Sequence, residues 1–107
     1  MADSCESRAA VYGEMWRSLG ALLRSYTAAH GLRQNRQAAI ELDEERIVVR
    51  HGGKWLKLVR SHAAVTWMRE NGTRGTLELT EHGRLRGASG EEELDLAAEA
   101  WARELMQ

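Results

Sequence analysis

Residues 46–60 read Arg46-Ile47-Val48-Val49-Arg50-His51-Gly52-Gly53-Lys54-Trp55-Leu56-Lys57-Leu58-Val59-Arg60. Two runs rich in β-branched and apolar residues flank a Gly-Gly pair, which is the pattern of a two-residue β-hairpin. A turn at Gly52-Gly53 places Val49 opposite Leu56 and Ile47 opposite Leu58. The other face then carries Arg46, Arg50, Trp55 and Lys57, with Arg50 directly opposite Trp55. A one-residue slip would exchange the two faces, so the agreement of four apolar residues decides the register. Ile47, Val49, Leu56 and Leu58 are expected in the core, and Lys57 outside it.

The same period of two continues on both sides. Strands are predicted near Gln37–Leu42, Arg46–His51, Lys54–Arg60, Ala63–Glu70, Gly75–Thr80 and Arg84–Arg86. The links Ser61-His62, Asn71-Gly72 and Glu81-His82-Gly83 carry turn residues. A two-residue turn at Ser61-His62 sets Leu58 opposite Val65 and Leu56 opposite Trp67. A three-residue turn closing at Gly72 sets Val65 opposite Leu77, and one closing at Gly83 sets Leu79 opposite Leu85. One face then holds Ile40, Leu42, Ile47, Val49, Leu56, Leu58, Val65, Trp67, Leu77, Leu79 and Leu85. A two-residue turn at Asn71-Gly72 is equally good chemistry and would move Trp67 to the face opposite Leu77. The chain has no proline, so nothing bars these segments from pairing.

Ahead of this meander, Tyr12, Met15, Trp16, Leu19, Leu22, Leu23 and Tyr26 recur at three- and four-residue spacing. They predict an amphipathic helix from about Ser7 to His30, with Gly31 as its left-handed cap and Leu32 folding back on the last turn. Behind the meander, Leu94, Ala97, Ala98, Trp101 and Leu105 predict a second helix reaching Met106. Either Ser89 with Glu92 or Asp95 can cap its start. The expected fold is one α+β domain over residues 1–107. It is an antiparallel meander of about six strands, with both helices on one sheet face. Residues 1–6 are expected to fray, and 87–93 to form a flexible acidic link.

The net charge of −1 hides an uneven distribution. Residues 1–45 carry −2, residues 46–86 carry +6 and residues 87–107 carry −5. At 29% charged and 43% hydrophobic residues, the composition is that of a globular chain. The acidic start, Met-Ala-Asp-Ser-Cys-Glu-Ser, has no apolar run to act as a secretory signal. The apolar runs are far shorter than the roughly 20 residues a membrane span needs. The single cysteine, Cys5, suits a reducing compartment, so a cytoplasmic location without membrane association is expected.

Chemical signals are sparse. Gly87-Ala88-Ser89-Gly90 has the look of a phosphate-binding turn, but Glu91, Glu92 and Glu93 follow it and would repel an anion. In a meander His62 and His82 share a sheet end with Asp43, Glu44 and Glu45. They stand two strand spacings, about 10 Å, apart, with no ligand spacing that converges on a metal. No nucleophile triad or paired carboxylate stands out, so neither catalysis nor a cofactor is expected. No motif is close enough to a known family to assign one.

The face opposite the core is the candidate binding face: Arg46, Arg50, Trp55 and Lys57, joined by Arg84 and Arg86 from the last strand. Its half-apolar character, through Val48, Trp55, Val59, Thr66 and Met68, points to a non-enzymatic domain that pairs with a second copy. The alternative is single-stranded nucleic acid, which its cations and tryptophan also suit. A third expectation is an apolar small molecule held between helices and sheet.

Overall fold

The computed structural model describes residues 3–34, 38–88 and 90–106. Helix α1 (Asp3–Gln34) leads into strands β1 (Ala39–Leu42), β2 (Arg46–His51), β3 (Lys54–Ser61), β4 (Ala64–Arg69), β5 (Arg74–Leu79), β6 (Arg84–Gly87) and β7 (Gly90–Glu93). Helix α2 (Leu94–Leu105) follows. The strands form one open antiparallel sheet in sequence order. The expected α+β meander is therefore observed, with one strand more.

The Gly52-Gly53 hairpin has the expected register. Ile47 pairs with Leu58, Val49 with Leu56 and Arg50 with Trp55. Ile47, Val49, Leu56 and Leu58 are all at most 1% exposed. The next turn lies one residue later than expected, at His62-Ala63, so Leu58 faces Trp67 and Arg60 faces Val65. His62 takes a left-handed φ of 57° there, a conformation histidine visits more readily than most residues. Moving the turn by one residue shifts the pairing by two, and every side chain keeps its face. At Gly72, with φ 86°, the three-residue turn is the one formed, and Val65 pairs with Leu77. Trp67 consequently lies on the core side, packed against the buried cluster.

The stretch 87–93, expected to be a flexible link, contains strand β7. Its backbone pairs with β6, placing Arg84 opposite Glu93 and Arg86 opposite Glu91. Opposite charges across this ladder replace the apolar contacts that normally mark a strand. Glu93 occupies the N-cap position of α2 without a side-chain cap bond, so Asp95 is not the cap. Ser89 and Gln37, the other expected cap residue and first strand residue, lie outside the described residues.

Helix α1 is longer than expected at both ends. At 32 residues and 1.5 Å per residue it is about 48 Å long, close to the 52 Å longest dimension of the molecule. It begins at Asp3 rather than after a frayed 1–6, and of that stretch Met1 and Ala2 lie outside the described residues. Gly31 is helical and buried instead of forming the cap, and the side chains of Cys5 and Leu32 lie outside the described residues. Trp16, Leu19, Leu23 and Thr27 form the buried stripe of α1, and Tyr12, Met15, Leu22 and Tyr26 flank it.

The two helices pack chiefly on each other and share the inner sheet face. Polar contacts also tie them down. The Trp16 indole N–H donates to the Asp43 carbonyl at 2.8 Å, and the Tyr26 hydroxyl donates to Asp95. The Arg69 guanidinium pairs with Glu104. The Tyr26 bond, with some loss of solvent and the carboxylate's charge, raises the phenol pKa above its usual 10.0. Among the described residues no helix is long and apolar enough to cross a membrane.

The outer sheet face as candidate interaction site

Alternation along the strands sends one side-chain set to the helices and leaves the other uncovered. The outer set is read directly from the registers. Arg50 lies beside Trp55, and Val48 lies between Glu41 and Lys57. Val59 lies between Arg46 and Thr66, and Met68 between Lys57 and Arg74. Among the described residues the buried core cluster draws both helices to the inner side, yet the middle of the outer side is apolar. Val59 is 41% exposed, Met68 is 36% exposed and Trp55 is half-buried. Val48 is only 8% exposed despite facing outward. Half-buried Lys57 stands beside it, and a lysine stem covers apolar surface while its ammonium stays in water.

The six residues singled out from the sequence do share this face, but they do not form one site. Arg46, Arg50, Trp55 and Lys57 are grouped on β2 and β3. Arg84 and Arg86 lie on β6, three strands away from β3, inside an acidic border. Arg86 bonds Glu78 at 3.0 Å, and this contact raises the guanidinium pKa further above its ordinary value. Arg84 lies 3.7 Å from Glu91. Two of the six cations or aromatics are thus compensated locally, and the candidate site contracts to the β2–β3 end.

Arg74 is the outer-face cation that the sequence reading missed. It lies opposite Met68, and its signal was the period itself, since Arg74 alternates with Gly75 at the start of β5. The remaining cations of residues 46–86 are turned to the inner side. Arg60 bonds the carbonyls of Glu44 and His62, Lys54 reaches the Glu104 carbonyl, and Arg69 pairs with Glu104. The +6 of this segment is therefore divided between the two faces. Among the described residues, Arg50, Lys57 and Arg74 have no ion-pair partner.

The β1–β2 turn at the edge of this face is rigidly built. The Asp43 carboxylate accepts from the backbone N–H groups of Glu45 and Arg46 at 2.8 and 2.7 Å. Those bonds stabilise the charged form and hold its pKa below the usual value. The other chemical signals resolve into structure. His62 packs edge-on against Tyr12, with ring centroids 5.1 Å apart. The buried His51 sets Nδ1 3.2 Å from the Leu105 carbonyl. Among the described residues no three His, Cys, Asp or Glu side chains are placed to hold a metal ion. Gly87 and Gly90 pair across the β6–β7 ladder and do not open a helix.

No protein-family profile, curated protein or solved structure matches this chain.

Proposed function

We propose that the protein is a non-enzymatic interaction domain that pairs with a second copy of itself through the outer sheet face. The observation that carries this reading is the apolar centre of a face no helix covers: Val59, Met68 and Trp55, all still reached by water. Seven strands at about 4.8 Å spacing and about 20 Å of strand length offer roughly 600 Å² per copy. Two copies together then bury about 1,200 Å², the lower end of a stable interface. Charge supports the same arrangement. Arg46, Arg50 and Lys57 outnumber Glu41 towards the β1 edge, whereas towards the β7 edge Glu78, Glu91 and Glu93 outnumber Arg84 and Arg86 by one charge. A two-fold axis that brings unlike ends together makes the face complementary to itself.

Light scattering coupled to size exclusion, at tens of micromolar, is expected to give twice the mass of one chain. Val59→Glu and Met68→Glu place charges on the apolar centre and are expected to yield folded monomers. A wild-type monomer across that range rules the reading out.

A second reading rests on the Arg50–Trp55 pair and the unpaired Lys57 and Arg74, which form a cationic surface around an aromatic ring suited to single-stranded nucleic acid. Here Trp55→Ala is expected to weaken binding of a labelled single strand by about 1–3 kcal/mol. Lys57→Ala is expected to lower the salt slope by about one phosphate. Absence of any anisotropy change at low salt and micromolar protein eliminates this reading.

A further inference from the structure

On the other side of the sheet, between α2 and strands β4–β7, runs an open groove of about 460 Å³. That lies within the roughly 300–1,000 Å³ typical of small-molecule sites. The groove has a local cause. Helix α2 lines it with the short Ala97 and Ala100 as well as with Trp101 and Glu104, and Gly87 and Gly90 bring no side chain to its far wall. The short residues leave a slot where larger ones would have closed the core.

Its floor is aromatic. A Cβ at Gly75 would stand 2.7–2.9 Å from three atoms of the Trp67 indole, so only glycine lets the ring lie across the backbone there. Trp67 is held down on its cross-strand partner in this way, yet it remains half-buried, with part of its ring facing the groove. Trp101 of α2 lines the same space. One cation already uses this chemistry: the Arg69 guanidinium lies 5.7 Å from the Trp67 ring centroid.

The electrostatics select among ligands. Arg69 is neutralised by Glu104, and Glu91 turns its carboxylate to Arg84 on the opposite face. Glu92 pairs across the ladder with Leu85, which places it on the groove side. It is exposed, and among the described residues it has no ion-pair partner. The groove thus presents aromatic and leucine surface beside one uncompensated negative charge.

We propose that this groove binds a flat aromatic monocation, its rings against Trp67 and Trp101 and its positive charge beside Glu92. The site uses the face opposite the proposed pairing surface and stands or falls independently of it.

The test titrates the full-length protein into acridine orange, a planar monocation, and into 9-anthracenecarboxylate, a monoanion of similar outline, following dye anisotropy. Saturable binding of one acridine orange per chain is expected, with the anion bound at least about tenfold more weakly because its charge opposes Glu92. Glu92→Gln, an exposed and nearly isosteric change, is expected to weaken the cation about five- to tenfold and to reduce its preference over the anion. Glu41→Gln makes the same change on the outer face and is expected to leave the dye affinity unaltered. Equal binding of both dyes, an unchanged affinity in Glu92→Gln, or an equal loss in Glu41→Gln overturns the proposal.

Discussion

Replacing Trp16 by alanine is expected to lower the unfolding free energy by about 3–5 kcal/mol, as deletion of a buried aromatic does. Trp16 is 1% exposed at the centre of the α1 stripe, among the largest fully buried side chains. Two contributions add there. The indole fills space between α1 and the β1–β2 end of the sheet, beside Leu42 and Ile47. Its N–H also donates to the Asp43 carbonyl, fastening the long helix to the turn that starts the β2 strand. Alanine leaves a cavity and removes that carbonyl's donor. Trp16→Phe helps to separate the two contributions, because it keeps most of the apolar area while losing the hydrogen bond and the smaller volume of the second ring. It should cost less, with about 0.5–1.5 kcal/mol of the loss belonging to the bond. Urea unfolding followed by far-ultraviolet circular dichroism measures both, and avoids the fluorescence change that any tryptophan substitution brings. A loss below 1 kcal/mol for alanine would mean that α1 is not packed on the sheet end as described. With a typical total of about 5–15 kcal/mol for a domain, the expected loss removes a large part of the stability.

Leu56→Ala is expected to cost about 2–5 kcal/mol, and its neighbour Lys57→Ala about 0.5 kcal/mol or less. Leu56 is 1% exposed, opposite Val49, and belongs to the cluster that contains Trp101 and Leu105 of α2. Lys57 is half-buried on the other face, over Val48. Adjacent residues in one strand thus carry very different weights, and the contrast measures register directly. Equal losses at 56 and 57 would contradict the assignment of the inner face. The same urea titration also reports whether the slope of unfolding with denaturant is shared by both variants, as one cooperative unit requires.

The strand period was legible because it is local. Ile47, Val49, Leu56 and Leu58 share a face by alternation alone, and the Gly52-Gly53 turn couples the two runs across only two residues. The three-residue turn at Gly72 was one of two open choices, and the folded chain takes the one that puts Trp67 on the same face as Leu77, against the core. The displaced His62-Ala63 turn went unseen because its left-handed residue is a histidine, while the pattern of faces is identical either way. In each case the sequence carried the parity of the strand, and packing selected the pairing.

What could not be read was everything that depends on neighbours distant in the chain. The run Glu91-Glu92-Glu93 has no apolar alternation, and it becomes a strand only because the β6 ladder, with Arg84 and Arg86, stands ready to pair with it. Those two arginines looked like binding cations until Glu78 and Glu91 were brought beside them. Gly31, a natural helix terminator by its own backbone entropy, stays helical and buried where α1 continues to Gln34. By itself the sequence determined the two helices, the antiparallel meander and the two residue sets that face in and out, since periodicities of 3.6 and 2 arise within each segment. Tertiary structure decided which charges remain unpaired on the outer face and where the groove beside Trp67 opens. Those outcomes depend on which segments meet across the sheet, and meeting is a long-range contact energy that no local period contains.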